Sequence, residues 1–567
     1  MATKYLAAFS VGCIWLVQAG AAMAEEAPMR RLLVEDYRDK MRAAWIGQMA
    51  AVGWGQMSPR WQEEIMPMEV VPKWEPRIVN QFFQDDLYLD TTFLRTLEVY
   101  GLDVSIRQAG IDFANSGYKL WHANLNAREN LRNGIAPPDS GHPQFNKHSD
   151  DIDYQIQADY SGLISPGLPN SIIRLGEIFG RLMNYGDGLY GGLFVGGMIT
   201  EAFFTDDLRE IVEAGLRCVP EGSQYHEAIT DTLAAKDEFP DDWQAAWKKL
   251  TDKYAKNDDY RRCACFPKGQ GNINAKLNGC FVVIGLLYGK GDLDNTITTA
   301  MRCGQDSDCT SSTAAGVLFQ TVGYKNLPER YTSGLEKETK FSFSPYTFDD
   351  VIRVSEMLAR QTIVREGGRI EIDEQGREVF VIPVQQPEPP ELTVCWDPGP
   401  IANSRYAEGE MRTIVPPEGP KIDLTDALEK FAPAWEIDHC GSYRNPGYHD
   451  TFLGRDSVLG THPLDEKTPC VIFQKVLVPE GKKTTLRFMA GHDHPGDWQL
   501  GVKVDGGVLL DTNVGKETAT DNWLKVELDL SAYAGKEVLV ELTNAYNTSG
   551  TITWEAAFWD DLEIVSE

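Results

Sequence analysis

The sequence is short of basic residues and of long apolar runs, and each shortage excludes a class of protein. Its 567 residues contain 54 Lys and Arg against 84 Asp and Glu, which gives a formal net charge of −30. Such a negative field repels phosphate backbones, so no nucleic acid partner is expected. Beyond the N-terminal segment, no run approaches the roughly 18 apolar residues of a membrane-spanning helix, so no membrane span is expected. Apolar residues at 42% and charged residues at 24% exclude a largely disordered chain.

Cysteine pairs with the spacing of a zinc site are also missing. The chain has ten cysteines but no C-x-x-C, and Cys263 and Cys265 are one residue too close for a usual zinc pair. A zinc site is therefore not expected. Cys440 and Cys470 lie in one β-rich segment and are the predicted disulfide pair.

The first 24 residues have the pattern of a secretory signal peptide. Lys4 precedes an apolar stretch, 6–22, and Ala22-Met-Ala24 gives a small-residue cleavage pattern before Glu25. A buried N-terminal helix is the alternative. Cleavage after Ala24 predicts a secreted or periplasmic protein in an oxidising environment where disulfides can form.

The length predicts two to four domains, and the hydrophobic periodicity changes along the chain. Residues 30–362 carry apolar side chains at three- and four-residue spacing with many Ala and Gly, which predicts an all-α domain of closely packed helices. Residues 363–430 predict a linker with short strands. Residues 431–567 contain alternating runs separated by turn residues, which predicts an antiparallel β-sandwich.

Two acidic clusters in the helical region carry the candidate chemistry. Asp85 and Asp86 follow Gln84 at the start of a strongly apolar run. Adjacent carboxylates that begin a buried helix would repel each other unless a cation lay between them. Capping of the helix by either Asp is the alternative. Asp306 and Asp308 begin a second helix, rich in Ala and Gly, that is also predicted to be buried.

With these clusters, the sequence resembles the ADP-ribosylglycohydrolase family over roughly residues 36–335. The resemblance rests on four blocks: A-W-I-G-Q-M-A-A-V-G from Ala44, Q-D-D-L from Gln84, D-Y-Q-I-Q-A-D from Asp153 with G-D-G-L-Y-G-G from Gly186, and G-K-G-D-L-D from Gly289 with A-M-R-C-G-Q-D-S-D-C from Ala300. The last block is the most specific of the four.

The resemblance implies an all-α domain whose acidic clusters meet around one or two Mg²⁺ or Mn²⁺ ions. It implies these metal ligands: Asp85, Asp86, Asp306, Asp308, Gln84 and Thr310. Hard oxygen ligands in a dry pocket suit Mg²⁺, and paired ions can polarise a hydroxyl and activate water. Four positions depart from the family pattern: Gln84 replaces a Thr, Cys309 replaces a hydroxyl residue, Trp54 replaces the Asp of a Gly-Asp pair, and Asn184 replaces a His.

The middle block resembles a family segment that borders the metal pocket. Asp159 in this block is the predicted catalytic acid or base, and helix capping or pairing with a base is the structural alternative. The predicted substrate-binding residues are Asp153, Asn184, Asp187 and Tyr190. Asp153 and Asp187 also compete with Asp159 for the catalytic role.

This interpretation of the sequence leaves three functional classes. The leading hypothesis is a metal-dependent glycosidase that cleaves a ribosyl or other glycosidic bond of a small molecule or oligosaccharide outside the cytoplasm. Export and the acidic charge favour a neutral sugar over ADP-ribose. A non-catalytic sugar-binding protein and a structural cell-surface protein are the alternatives. The sequence carries no indication of oligomeric state.

The C-terminal region resembles the jelly-roll modules attached to secreted glycoside hydrolases. Four tryptophans either stack on sugars or fill the core of the sandwich: Trp498, Trp523, Trp554 and Trp559. His492 and His494 indicate either a metal site or a polar turn, and the polar turn is favoured.

Overall fold

The computed structural model of the chain describes these residues: 28–59, 63–265, 268, 273–416, 422–444, 446–493, 496–547 and 554–567. The predicted signal peptide and His494 lie outside them. A helical region from Val34 to Arg365 is followed by antiparallel β-sheets, so the predicted fold class is confirmed as an all-α domain followed by a β-sandwich.

The helices have small residues at many of their contacts, as the Ala- and Gly-rich apolar segments predict. In chain order they are α1 Val34–Gln56, α2 Asp85–Tyr100, α3 Ile106–Ala114, α4 His122–Arg132, α5 Asp159–Leu163, α6 Pro169–Phe179, α7 Asp187–Ala202, α8 Leu208–Leu216, α9 Gln224–Glu238, α10 Trp243–Tyr254, α11 Ala275–Gly289, α12 Leu293–Arg302, α13 Ser307–Val322, α14 Phe348–Arg365, α15 Glu408–Met411 and α16 Thr425–Phe431.

The strands form one small sheet against the helices and two sheets of the sandwich. They are β1 Met29–Leu33, β2 Arg369–Ile372, β3 Glu378–Pro383, β4 Glu436–Asp438, β5 Gly447–Phe452, β6 Arg455–Thr461, β7 Cys470–Leu477, β8 Thr484–Gly491, β9 Trp498–Val504, β10 Gly507–Val514, β11 Trp523–Asp529, β12 Glu537–Ala545 and β13 Ala557–Ser566. The strand orders are β1-β3-β2, β10-β9-β12-β7-β4 and β11-β8-β13-β6-β5, and neighbouring strands are antiparallel.

Helices α1 and α13 pack directly against each other because glycines face the contact. A Cβ on Gly47 would lie 2.5 Å from the carbonyl oxygen of Ala315, and one on Gly55 would lie 2.4 Å from the Cα of Asp308. No side chain larger than hydrogen fits at either position, so the close approach requires glycine. The contact fixes the start of α13, where the second acidic cluster lies.

The predicted linker follows the surface of the helical domain rather than leaving it. Strand β3 pairs with β1 at the start of the described chain, and β2 pairs with β3. Further along, Asp139 accepts hydrogen bonds from the backbone N–H groups of Ala402 and Ser404, each at 2.8 Å. These contacts hold the segment 384–407 against the helices.

A disulfide bond joins this segment to the helical domain, and it corrects the predicted pairing. Cys263 bonds to Cys395, whereas Cys440 and Cys470 are buried free thiols. The pairing of β4 with β7 aligns Asp438 with Val471 and so brings the two free thiols into one region, as their spacing indicated. Cys263 and Cys395 are 132 residues apart, a separation at which sequence alone gives no indication of contact.

The sandwich has its own apolar core, separate from that of the helices. Trp498 and Trp559 are fully buried there with ring centroids 5.2 Å apart, and Trp523 is also buried, so these three are core residues. Trp554 differs because it is 37% exposed. The Nδ1 of His492 lies 2.8 Å from the carbonyl oxygen of Gly496, the local bonding of a polar turn. The arrangement fits a jelly-roll module.

None of the helices in the described part of the chain has both the length and the apolar content that crossing a membrane requires.

Candidate metal centre

The first acidic cluster begins helix α2 without capping it. Gln84 occupies the N-cap position, and its Oε1 accepts a hydrogen bond from the backbone N–H of Asp85 at 3.3 Å. The predicted alternative, in which Asp85 or Asp86 caps the helix, is therefore not what the structure shows. The side chain that caps α2 is thus the amide of Gln84.

The second cluster repeats this arrangement at the start of α13. Asp306 occupies the N-cap position, yet its side chain makes no capping hydrogen bond. Asp308 lies in the first turn of the same helix. A helix N-terminus attracts negative charge, which partly stabilises carboxylates placed there.

The structure brings the four carboxylates together around one thiol. Single oxygens of Asp85 and Asp86 and the Sγ of Cys309 all lie within 4.8 Å of one another. Oxygens of Asp306 and Asp308 form a second such group with the same Sγ. Because both groups share Cys309, two helix N-termini more than 200 residues apart in sequence line one pocket.

The electrostatics of the pocket are those of a site that needs a cation. Burial, followed by the charges of Asp85 and Asp308, raises the pKa of Asp86 well above its usual range. Burial and the neighbouring Asp308 do the same to Asp306. Hydrogen bonding by Cys309 and Ser312 lowers the pKa of Asp86 only in part. Buried carboxylates without a charged partner are costly, and a divalent cation with oxygen ligands would remove that cost.

Asn278 on α11 holds the loop that carries the second cluster, and the sequence analysis missed it. Its Oδ1 accepts hydrogen bonds from the backbone N–H of Asp306 and from the hydroxyl of Thr310, both at 3.3 Å. Its Nδ2 donates to the Oε1 of Gln305 at 3.2 Å. A polar Asn within the apolar run of α11 was the available signal, since a buried amide requires partners.

Asp159 lies at the first position of α5, beside a carboxylate that the sequence analysis also missed. Asp90, one turn after Asp86 in α2, is fully buried, and neither of its side-chain oxygens has a hydrogen-bond partner among the described residues. Burial, followed by the charges of Asp159 and Asp86, raises the pKa of Asp90. Burial raises the pKa of Asp159 to about 8. The i, i+4 spacing of Asp86 and Asp90 in a buried helix could have indicated Asp90.

Asp159 does not cap its helix, which was the predicted alternative role. Ala158 is the N-cap residue of α5, and Oδ1 of Asp159 has no hydrogen-bond partner among the described residues. A Cβ on Gly316 would lie 3.3 Å from that oxygen. The glycine therefore leaves space beside the carboxyl group.

Two of the predicted substrate-binding residues form hydrogen bonds with backbone groups in and around the loop before α5. The Oδ1 of Asp153 accepts a hydrogen bond from the backbone N–H of Asn124 at 2.8 Å, and burial raises its pKa. Asn184 accepts from the N–H of Tyr154 at 2.9 Å and donates to the carbonyl oxygen of Asp151, also at 2.9 Å. These contacts position backbone, and a role in binding substrate stays a prediction.

The other two predicted substrate-binding residues make contacts within the fold. The Oδ1 of Asp187 accepts from the N–H of Tyr225 at 3.0 Å, and its Oδ2 lies 3.5 Å from Nζ of Lys276. Burial raises the pKa of Asp187 to about 6, against the opposing charge of Lys276. The hydroxyl of Tyr190 accepts from the N–H of Thr393 at 2.7 Å, in the segment that follows β3.

Three exposed aromatic side chains belong to segments that adjoin α2 in sequence or contact its neighbours. Phe83 directly precedes Gln84 and is 73% exposed. Tyr88, one turn after Asp85, stacks on Tyr118 with centroids 4.2 Å apart, and the exposed ring of Phe343 lies 6.0 Å from Tyr118. We call Phe83, Phe343 and the exposed Trp121 the aromatic rim.

The sandwich reaches the helical domain beside this rim. Nζ of Lys119 lies 5.3 Å from the ring centroid of Trp121 and 5.8 Å from that of Tyr443, which belongs to the C-terminal region. Arg128 on α4 donates to the hydroxyl of Tyr443 at 3.5 Å.

Comparison with known proteins places the helical domain in a family. The ADP-ribosylglycohydrolase family model matches residues 33–367. A solved structure described as an ADP-ribosylglycohydrolase-related protein complex is similar at 13% identity and a TM-score of 0.38, over 58% of this chain and 99% of that one. No curated protein matches. Since the matched residues form more than half of the chain and contain both acidic clusters, the chain belongs to the ADP-ribosylglycohydrolase family, and its helical domain supports a glycohydrolase function.

Proposed function

We propose that this protein is a metal-dependent glycosidase that hydrolyses a ribosyl or other glycosidic bond of a neutral sugar outside the cytoplasm. The observation that carries the proposal is the convergence of Asp85, Asp86, Asp306 and Asp308 on one buried pocket around Cys309. Four carboxylates placed there without a cation would destabilise the fold.

The donor set suits Mg²⁺ or Mn²⁺. The four carboxylates would hold one or two ions, with Gln84 and Thr310 as further oxygen donors, although both side chains also make hydrogen bonds within the protein. Such an ion, when bound, polarises a sugar hydroxyl and lowers the pKa of water.

Asp159 supplies the proton in this proposal. Because its pKa is raised to about 8, the carboxyl group holds a proton at pH 7, and the unpartnered Oδ1 is the atom that can carry it. Donation to the glycosidic oxygen lets the leaving group depart as a neutral alcohol. Water supplies the hydroxyl group that bonds to the anomeric carbon, and the proton released from water restores Asp159.

The surroundings of the pocket favour a neutral sugar. A net charge of −30 repels a pyrophosphate at long range, whereas a neutral sugar has no such penalty. The exposed rings of the aromatic rim offer flat apolar faces of the kind on which sugars stack. Phe83→Ala should therefore raise KM, and Tyr100→Ala, an exposed aromatic at the other end of α2, is the matched control.

The test is a hydrolysis screen of ADP-ribosyl compounds and neutral glycosides, run with Mg²⁺ or Mn²⁺ and again with EDTA. Release of sugar from a neutral glycoside that stops with EDTA supports the proposal. Hydrolysis of ADP-ribosyl compounds alone would contradict the substrate class. Binding without turnover would favour the sugar-binding alternative, and absence of metal binding would favour the structural one.

Export is a separate part of the proposal, with cleavage after Ala24. The Cys263–Cys395 disulfide supports it, since such bonds persist in oxidising compartments. Mass spectrometry of the protein expressed from its full sequence should find Glu25 at the mature N-terminus. An intact N-terminus on cytoplasmic protein would overturn this part and leave the glycosidase proposal standing.

A further inference from the structure

A second group of ligand atoms lies outside the acidic centre. One nitrogen of His122, one nitrogen of His148 and one carboxylate oxygen of Asp151 all lie within 4.8 Å of one another. Nδ1 of His148 is 2.6 Å from Oδ2 of Asp151, and Nδ1 of His122 is 3.7 Å from the same oxygen. The two rings meet edge to face, with centroids 5.1 Å apart.

The backbone fixes all three side chains. His122 begins α4 with a positive φ of 46°, a conformation that is uncommon for residues other than glycine. The N–H of Asp151 donates to the carbonyl oxygen of His148 at 2.9 Å in a tight turn. The carbonyl group of Asp151 in turn accepts from Nδ2 of Asn184 at 2.9 Å. The group is thus held by a helix start, a turn and a buried amide.

Asp151 is placed as a metal ligand would be. Its side chain is fully buried, and its Oδ1 has no hydrogen-bond partner among the described residues. Among those residues, no Lys or Arg forms an ion pair with it, because the nearby Lys276 pairs with Asp150 at 2.8 Å. The charge of Lys276 acts on Asp151 without an ion pair, so the cost of burying this carboxylate is only partly offset.

The group is also reachable from solvent. The side chains of His122 and His148 are 22% and 12% exposed, whereas that of Asp151 is not exposed. The two rings are therefore the part of the group that solvent reaches.

We propose that His122, His148 and Asp151 form a second metal site, which takes a Zn²⁺-class divalent transition-metal ion. Imidazole nitrogen selects Zn²⁺ and its neighbours, whereas a set of oxygens alone suits Mg²⁺. With metal–ligand bonds of about 2.0–2.1 Å, tetrahedral ligands lie about 3.4 Å apart. The 2.6 Å and 3.7 Å separations bracket that value, so the ion replaces the His148–Asp151 hydrogen bond after a small movement. Two histidines and one carboxylate leave a fourth position open for water.

This site borders the acidic centre but does not depend on it. Asp153 follows Asp151 by two residues and binds the N–H of Asn124 in the helix that His122 begins. The charge of Asp85 contributes to the raised pKa of Asp153, so the two sites are neighbours. The spacing of the cysteines predicted no zinc site. That spacing carries no information about this group, because its two histidines are 26 residues apart in sequence and none of its ligands is a cysteine.

The test uses the full mature chain with its acidic centre first saturated with Mg²⁺, and then titrates Co²⁺ while recording the visible absorption of the ion. The expected result is one Co²⁺ per chain with a tetrahedral spectrum, and displacement of that Co²⁺ by Zn²⁺. His148→Gln and His122→Gln should each weaken Co²⁺ binding at least about tenfold. His439→Gln is the matched control, because His439 lies 3.2 Å from Asp438 and no second histidine completes a ligand group there in the described part of the chain.

Asp306→Asn separates this proposal from the proposed function. It should leave the Co²⁺ spectrum unchanged while it weakens Mn²⁺ binding at the acidic centre. The proposal is overturned if the wild-type chain binds no Co²⁺, if either histidine variant binds Co²⁺ as tightly as wild type, or if Asp306→Asn abolishes the spectrum. Both histidines are partly exposed, so far-ultraviolet circular dichroism of the two variants should match wild type.

Discussion

The helical domain and the β-sandwich differ in how they accommodate buried carboxylates. In the helical domain, Asp86, Asp90 and Asp159 are buried with at least one side-chain oxygen that lacks a hydrogen-bond donor among the described residues. In the sandwich, buried Asp493 and Asp560 pair with Arg444 and Arg455 respectively. Oδ1 of Asp493 also lacks a hydrogen-bond partner among the described residues, so the difference lies in charge pairing. Outside the acidic centre, buried Asp139 of the helical domain likewise pairs with Arg405. The acidic centre gathers buried carboxylates without a paired arginine among the described residues, and a bound cation would stabilise that arrangement.

Glu555 in the sandwich is a buried acid that is stabilised without a cation. Burial raises its pKa to about 8, and its Oε2 accepts a hydrogen bond from the N–H of Asn547 at 3.2 Å. It is thus a neutral group at pH 7 that retains a donor. The acidic centre differs because several carboxylates raise the pKa values of one another.

The largest expected effect is that of Asp159→Asn. A general acid contributes about 10²–10⁴-fold in rate, so the turnover of a substrate found in the screen should fall by that factor. Mn²⁺ affinity, measured by calorimetry, should not change, since Asp159 is not one of the convergent ligands. Near-normal turnover would exclude Asp159 and transfer the role to Asp187, whose pKa is raised to about 6.

A matched pair of core variants tests whether the two regions are energetically separate. Trp45 in α1 and Trp559 in β13 are both fully buried, so Trp45→Ala and Trp559→Ala should each destabilise their own region by about 3–5 kcal/mol. Only Trp45→Ala should weaken Mn²⁺ binding, because α1 packs on the helix that carries Asp308. Denaturant unfolding and Mn²⁺ titration measure the two effects. Equal loss of Mn²⁺ binding in both variants would show that the regions fold as one unit.

Asp306→Asn tests whether the buried carboxylates of the acidic centre repel one another when no metal is bound. It should lower Mn²⁺ affinity by about 100-fold or more and should raise the melting temperature of the metal-free chain, because it removes one of several mutually repelling carboxylates. Asp560→Asn is the control, and it should leave Mn²⁺ affinity unchanged while it lowers stability by removing the buried one of the two carboxylates that pair with Arg455. A metal-free Asp306→Asn variant that melts below the metal-free wild type would contradict the repulsion.

The pH dependence of stability should also differ between the regions. The pKa of Asp159 is raised to about 8 in the folded chain, so its unfolded form loses a proton near pH 4 while its folded form retains one. Stability from this group is therefore fully present below about pH 4 and is lost as pH rises through about 8. Bound Mn²⁺ should remove the part of the dependence that comes from the raised pKa values of Asp86 and Asp306, and leave the parts that come from Asp159 and Glu555 in place. Thermal unfolding at pH 5, 7 and 8.5, with EDTA or Mn²⁺, measures it.

The smallest expected effect is that of Cys309→Thr. The thiol lies between both acidic groups, and burial, followed by the charge of Asp306, raises its pKa well above the usual range. A neutral thiol is a poor ligand for Mg²⁺, so a hydroxyl oxygen there should improve Mg²⁺ binding relative to Mn²⁺ by about tenfold or less. Cys218→Ser, at another buried thiol, is the control. An unchanged Mg²⁺ to Mn²⁺ ratio would show that Cys309 does not contact the ion.

The sequence predicts the parts of this protein that depend on local pattern. The spacing of apolar residues predicts the all-α domain, the strands β2 and β3, and the alternating runs of the sandwich. Asp85, Asp86, Asp306 and Asp308 are identifiable because carboxylates at the start of apolar helices conflict with burial. These inferences need only residue order, since helix and strand periodicity is set by the backbone.

Other features were decided by tertiary structure alone. Asp159 lies beside Asp90 only because α5 packs against α2, and Asn278 holds Asp306 only because α11 lies next to the loop before α13. Cys263 bonds to Cys395, against the predicted Cys440–Cys470 pair, because the segment after β3 returns to the helical domain. The meeting of His122, His148 and Asp151 likewise requires a helix start and a turn to lie side by side. Residue order fixes which chemical groups the chain carries, and long-range packing fixes which of them lie within bonding distance.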